Sequence, residues 1–160
     1  MNKKILIVAI ITLAIDQISK LIAKAFLTLN ISKAIIPNFF YLTLCHNTGA
    51  AWSILSDKKI LIIILTIIAI VIIYHFIYCF KTNNRNNIAF GLLIGGLAGN
   101  LIDRIVLGYV VDFFDIYIFK YDFPVFNIAD ICIVTGVILL IVAIIKGEDI
   151  SENRSKRIKQ

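Results

Sequence analysis

The sequence predicts an all-α membrane protein with four transmembrane helices. Hydrophobic residues make up 60% of its 160 residues and charged residues only 16%, which excludes an ordinary soluble domain. A bilayer core about 30 Å thick requires roughly 20 apolar residues per helix. Four stretches meet this requirement, at about 5–27, 60–80, 88–106 and 128–145. We expect one compact membrane domain over 1–160 that ends in a basic tail, 146–160.

The distribution of basic residues predicts the topology. Nine of them lie on one side of the membrane: Lys3, Lys4, Lys81, Arg85, Lys146, Arg154, Lys156, Arg157 and Lys159. Only four lie on the other side: Lys33, Lys58, Lys59 and Lys120. The positive-inside rule therefore places both termini and the 81–87 loop in the cytoplasm, and segments 28–59 and 107–127 outside. We assign the net charge of +6 to topology and expect no nucleic-acid partner.

The first helix carries two charged residues, Asp16 and Lys20, spaced i,i+4 with the acid first, which is the favourable order. A rise of about 1.5 Å per residue places Asp16 near mid-bilayer. We favour a structural ion pair that involves another helix, with Lys20 and Lys24 reaching outward. A catalytic role for this pair is the less favoured alternative.

The outer segment 28–59 has the composition of short strands. Aromatic and β-branched residues at 39–44 predict one strand, and a second is expected at 51–55. Residues 45–51 between them are expected to form a turn in which Asn47 or Gly49 takes positive φ. Trp52 suits an aromatic belt at the interface, and His46 is expected to be a solvated loop residue.

The second helix lacks charges and is predicted to pack, and the short 81–87 loop makes the second and third helices antiparallel neighbours. On the third helix, glycines recur every four residues at Gly91, Gly95 and Gly99, a pattern typical of close helix packing. An adjacent stripe of the same period contains Gly96, also expected to pack, and the polar residues Asn100 and Arg104. Five fixed donors would let Arg104 bind the carbonyl groups of an extended peptide.

Two acids are predicted to meet at the outer membrane edge. Asp112 follows the outer end of the third helix, and Asp130 lies in the first turn of the fourth, where Asn127 shares its face at i,i+3. Acids held together at a partly dehydrated site share a proton, so one can activate water while the other protonates a carbonyl. Asp115 and Asp122, in the same segment, are expected to be solvated.

Other hydrolytic chemistries lack their residues in this sequence. It contains no His-Glu-x-x-His, no Gly-x-Gly-Asp and no Gly-x-Ser-x-Gly. The three cysteines, Cys45, Cys79 and Cys132, are too scattered for a disulfide framework or a zinc site. We therefore expect carboxylate chemistry without a metal or cofactor.

Five motifs in order give the chain a resemblance to a known family. They are Asp16-Gln17-x-x-Lys20, Asn47-x-Gly49-Ala50-Ala51, Gly95-Gly96-x-x-Gly99-Asn100-x-x-Asp103-Arg104, Val111-Asp112-Phe113 and Phe126-Asn127-x-Ala129-Asp130. Together they resemble bacterial lipoprotein signal peptidase, signal peptidase II, over nearly the whole chain up to about Lys146.

The resemblance implies an aspartic endopeptidase of the bacterial cytoplasmic membrane that cuts prolipoproteins just before a diacylglyceryl-modified cysteine. It implies a small outer β-cradle and a short outer helix beside the four helices. Asp112 and Asp130 match the catalytic pair. The residues matching the substrate and globomycin pocket are Asn47, Gly49, Asn100, Arg104 and Asn127, and the residues matching polar supports are Asp16, Lys20 and Asp103. We expect a monomer that contacts membrane lipid, diacylated prolipoproteins and globomycin-type inhibitors.

Two other classes of protein remain as alternatives. A small proton-coupled transporter could relay protons through Asp16, Asp103 and Asp130. The long outer segments and the lack of an inverted repeat argue against it. A purely structural subunit would leave the meeting of Asp112 and Asp130 without a purpose.

Overall fold

The computed structural model describes residues 2–49, 58–118 and 121–149, except for the side chain of Asp122. Its helices are α1 (Lys3–Phe26), α2 (Lys59–Phe76, extended by a 3₁₀ turn at Ile77–Cys79), α3 (Asn84–Val106) and α4 (Ile128–Ile145). Its strands are β1 (Ser32–Ile36), β2 (Phe40–Asn47), β3 (Val110–Ile118) and β4 (Tyr121–Asp122). All four helices are long and apolar enough to cross a membrane. The chain is therefore a multi-pass membrane protein.

Helix α3 is the centre of the bundle and packs against the other three helices. It is also the most buried helix: 56% of the residues in its apolar stretch are buried, against 6% for α2. A Cβ on Gly95 would lie 2.6 Å from the carbonyl oxygen of Ala9 in α1, and one on Gly96 would lie 2.6 Å from that of Ala129 in α4. The predicted packing role of these glycines is confirmed, because they allow α1 and α4 to approach α3 at backbone contact.

The helix boundaries follow local capping. Helix α3 begins four residues before its predicted start because Asn83 accepts a hydrogen bond from the backbone N–H of Asn86, at 2.8 Å. Helix α4 begins and ends as predicted. Its N-cap, Asn127, forms a reciprocal capping box with Asp130. The cap therefore fixes Asp130 relative to the first turn of α4.

An antiparallel sheet in the order β1-β2-β3-β4 covers one end of the bundle. Strand β2 pairs with β3, so that Cys45 lies opposite Asp112 and Asn47 opposite Val110. The predicted strand at 39–44 is therefore too short, and the predicted turn is wrong at 45–47, where Asn47 is extended. Pairing with β3, which is distant in sequence, is what keeps these residues extended.

Several further expectations about the outer segments have different outcomes. The second strand at 51–55, Trp52 and Lys120 lie outside the described residues, as does the tail from residue 150 onward. The described ranges contain no short outer helix. The side chain of His46 is exposed as expected, but it lies on β2 rather than in a loop and stacks on Tyr109 at a centroid distance of 3.8 Å.

Candidate active site

The two acids singled out in the sequence meet where the sheet joins the helices. Asp112 is the third residue of β3, and Asp130 is the third residue of α4. Asp112 is only 2% exposed to solvent. Both line a cavity of about 970 Å³, whose other walls are formed mainly by β2, α3, α4 and segment 123–126. The cavity thus brings two nearly buried carboxylates to one largely apolar space.

Three asparagine amides donate hydrogen bonds to the carboxylates. Asn127 Nδ2 donates to Asp112 Oδ1 at 2.6 Å, and the backbone N–H of Asn127 donates to Asp130 Oδ2 at 3.1 Å. Asn47 Nδ2 donates to Asp112 Oδ2 at 2.8 Å. Asn100 Nδ2 donates to Asp130 Oδ1 at 2.8 Å. Asn127 therefore bridges the two acids, and each of their four oxygens accepts a hydrogen bond.

The electrostatics of the pair favour a shared proton. Burial, and then the nearby charge of Asp130, raises the pKa of Asp112 to about 7. Hydrogen bonds from Asn47 and Asn127 oppose this rise but do not cancel it. Asp112 can therefore both release and bind a proton near neutral pH, which is what general acid–base catalysis requires.

A buried cation lies beside this pair. Lys20 is 3% exposed and contacts Asp16 Oδ2 at 2.8 Å and Asp103 Oδ2 at 2.9 Å. Its ammonium group also donates to Asn100 Oδ1 at 2.9 Å. The expected ion pair of Asp16 and Lys20 is observed, but the expected outward orientation of Lys20 is wrong. The three N–H groups of the Lys20 ammonium are accepted by two carboxylates and an amide. Two of these acceptors lie on α3, so the sequence of α1 alone does not reveal the arrangement.

Asp16 and Asp103 also bind the backbone next to each member of the pair. Asp16 Oδ1 accepts from the N–H of Ala129, the residue before Asp130, at 2.9 Å. Asp103 Oδ2 accepts from the N–H of Val111, the residue before Asp112, at 3.2 Å. The ion cluster therefore ties β3 and α4 to the bundle at the residues that present the two acids.

Arg104 lies at the edge of the cavity. Its Nη2 donates to the carbonyl oxygen of Gly49 at 2.9 Å, and its Nη1 donates to that of Asn100 at 3.4 Å. Its buried Nε has no hydrogen-bond partner among the described residues. Arg104 thus binds a backbone carbonyl group of its own chain. The predicted contact with the carbonyl groups of a bound peptide stays a prediction.

Asp115 differs from its expected environment. It is 3% exposed rather than solvated, and its Oδ2 accepts from Thr43 Oγ1 at 2.5 Å. Thr43 Oγ1 is also 2.8 Å from Ser32 Oγ, so this contact links three strands. The sequence could not indicate the burial of Asp115 because its partners lie on strands distant in the chain.

Four spanning helices with two bridged carboxylates beneath a small sheet have the architecture of a membrane-embedded hydrolase of the aspartic class. Residues 8–146 match the family described as "Signal peptidase (SPase) II". Proteins named lipoprotein signal peptidase from Staphylococcus aureus strains JH9 and N315 are each 42% identical over 155 residues, which cover 96% of this chain and 94% of theirs.

Solved structures of a membrane enzyme share this fold. Two structures of a bacterial membrane enzyme, determined by the in meso method at 2.3 Å and 1.9 Å resolution, share 41% identity with the chain and have TM-scores of 0.80 and 0.78. The similarity covers 89% of this chain and 87% and 92% of theirs. The chain belongs to the signal peptidase II family and is a peptidase. The transporter alternative is not supported.

Proposed function

We propose that Asp112 and Asp130 are the catalytic pair with which this peptidase removes signal peptides from diacylglyceryl-modified prolipoproteins, cutting just before the lipidated cysteine. The observation that carries this proposal is the bridging of the two carboxylates by Asn127 at the cavity wall. The pKa of Asp112, raised to about 7, supports it. A pair that holds one proton has both a base and an acid available at once.

The proposed reaction uses one water molecule. The ionised carboxylate removes a proton from the water, whose oxygen attacks the scissile carbonyl carbon, while the protonated acid gives its proton to the carbonyl oxygen. In the collapse of the resulting gem-diol, one of its hydroxyl groups gives its proton to the second, now ionised, carboxylate as the C=O bond re-forms and the C–N bond breaks. The first carboxyl passes its proton to the leaving nitrogen, so both acids return to their starting states. Asn47, Asn100 and Asn127 hold the two carboxylates in position through this cycle.

The same cavity offers groups that suit an extended peptide. Arg104 lines the cavity, and its guanidinium group, which already donates to the carbonyl oxygen of Gly49, can donate to a substrate carbonyl in the same way. Asn47 and Asn100 add polar groups to the cavity wall, whereas Asn127 is fully buried behind the two acids and supports them. Ile131 and Val134 on α4 form part of the apolar wall and suit the apolar residues of a signal peptide or a globomycin-type inhibitor.

The charge distribution supports a topology with both termini in the cytoplasm and the cavity toward the outer leaflet. In this arrangement the cavity lies at the depth where a lipidated substrate presents its diacylglyceryl group. We propose a monomer that contacts lipid around the bundle, since α1, α2 and α4 each carry long exposed apolar faces.

The test is cleavage of a diacylated prolipoprotein by purified Asp112→Asn, Asp130→Asn and double variants. Each single variant should abolish cleavage while it inserts and folds normally, because an amide keeps the shape but supplies no carboxylate. The double variant should be scarcely worse, since residues acting as one unit are not additive. Near-normal cleavage by either single variant at normal folded yield would contradict the aspartic mechanism.

A matched control is Glu148→Gln, which makes the same chemical change beyond the opposite end of α4. Glu148 binds Arg85 and Asn83, at the end of α4 opposite to Asp112 and Asp130. Cleavage by this variant should remain at the wild-type rate.

A further inference from the structure

The orientation of an asparagine amide decides whether it donates to a carboxylate or presents an oxygen to it. Each of the three amides at the site has its oxygen occupied by at least one hydrogen-bond donor. Asn47 Oδ1 accepts from the N–H of Gly49 at 3.0 Å, and Asn127 Oδ1 accepts from the N–H of Asp130 at 3.0 Å. These backbone donors leave Nδ2 of each amide to face the acids.

Asn100 is oriented differently, because its oxygen accepts from two side chains. Lys20 Nζ donates to Asn100 Oδ1 at 2.9 Å, and Asn127 Nδ2 donates to the same atom at 3.1 Å. With its oxygen held there, Asn100 must turn Nδ2 toward Asp130 Oδ1. The shorter, charge-assisted contact is the one from Lys20.

We propose that Lys20 is a positioning residue for catalysis, which fixes the amide of Asn100 so that Asn100 donates to Asp130. This inference rests on the proposed catalytic role of the pair. Lys20 does not touch substrate or water in this scheme and acts through Asn100. Without the ammonium group, the Asn100 amide can rotate and present its oxygen to Asp130, which repels a carboxylate.

The charges around Lys20 determine what its replacement does. Asp16 lies on the same helix, Asp103 faces Lys20 from α3, and Asp112 and Asp130 approach from β3 and α4. Arg104 is a further cation near Asp112 and Asp130. Replacing Lys20 alone would leave Asp16 and Asp103 buried without their cation, which destabilises a fold strongly.

The experiment therefore compares Asp16→Asn with Asp16→Asn/Lys20→Met, a pair that differs only in the ammonium group and its stem. One of the two buried carboxylates is already neutral in both. We expect the loss of Lys20 to lower kcat about ten- to hundred-fold, as for a lost hydrogen bond to a charged group, with KM within about two-fold. The acidic limb of the pH–rate profile should move to higher pH, because the ionised form of the pair loses a donor.

A second comparison places Lys20→Met in the Asp16→Asn/Asn100→Leu background. No amide remains there for Lys20 to orient, so its removal should lower kcat no further. The charge of Lys20 acts on Asp112 directly, so a smaller shift of the pH profile should remain. The Lys20→Arg variant keeps the cation and provides a folded form if the methionine variants have low yield; it should retain more activity than they do, with a pH profile nearer to the wild type.

Two results would overturn the positioning role. One is that removing Lys20 lowers only the folded yield and leaves kcat and the pH profile unchanged. If only the Lys20→Arg variant can be purified, the equivalent result is a kcat as low as that of Asn100→Leu at normal yield. The other is an effect of Lys20→Met on kcat that persists in full when Asn100 is leucine. Failure of the catalytic pair itself is recognised separately, by cleavage in Asp112→Asn or Asp130→Asn.

Discussion

Replacing Asp112 by asparagine should abolish cleavage and make the protein more stable near neutral pH. The pKa of Asp112 is raised from 3.8 to about 7, mainly by burial. Each pKa unit corresponds to about 1.4 kcal/mol, so an ionised Asp112 costs the folded state about 4 kcal/mol. The asparagine side chain does not ionise and avoids this cost.

The sign and range of the effect follow from proton linkage. Between about pH 4 and pH 7 the unfolded chain has lost the Asp112 proton while the folded protein keeps it, so the stability of the wild type falls as pH rises. Below about pH 4 both states are protonated, and well above pH 7 both are ionised. The difference in free energy of unfolding should therefore shift by up to about 4 kcal/mol in favour of the variant across this range.

A lost hydrogen bond offsets part of this gain. Asn47 and Asn127 each donate to a different oxygen of Asp112, whereas an amide offers only one acceptor oxygen. The unsatisfied donor costs about 1–3 kcal/mol at every pH. We thus expect Asp112→Asn to be less stable than the wild type near pH 4 and more stable above about pH 7.

The assay is unfolding in detergent micelles from about pH 4 to pH 8, with cleavage measured on the same preparations. Glu148→Gln is the control. Its hydrogen bond from Asn83 and its contacts with Arg85 lower the pKa of Glu148, so this carboxyl is ionised above about pH 5 and the control should differ from the wild type by a constant amount there. Parallel stability curves for the wild type and Asp112→Asn would refute the reasoning, since Asp112 would then not hold its proton in the folded state.

Three further predictions test other parts of the site. Arg104→Lys should raise KM about ten-fold, because an ammonium cannot donate to Gly49 and to a substrate carbonyl with the geometry of a planar fork; initial-rate kinetics with a wild-type KM would contradict this. Gly99→Ala should lower folded yield and melting temperature, since its Cβ would meet the carboxylate of Asp16; a wild-type melting curve would be the opposing result. Chelators and serine-directed reagents should leave cleavage intact, since the described residues contain no group of three metal-binding side chains; activity lost on chelation and restored by added metal would exclude a metal-free mechanism.

The sequence determined the features that depend on composition and local pattern. The four spans were readable because a bilayer imposes a minimum apolar length on each helix, and α4 was predicted to the residue. The glycine pattern of α3 predicted close packing because residues four apart share one face of a helix, where glycines allow a neighbouring helix to approach. The meeting of Asp112 and Asp130 followed from topology, since a chain that leaves and re-enters one face returns to the same depth. Their catalytic role stays a prediction.

Only the tertiary structure decided the features that depend on distant pairing. Strand β3 was not predicted from the sequence. Its pairing with β2 converts a predicted turn into strand and buries Asp115 against Thr43. Lys20 points inward because acceptors on α1 and α3 surround it, and α1 by itself contains only one of them. Hydrogen bonds between segments far apart in sequence carry no periodic signal, so the amide orientations at the site could not be read from the chain.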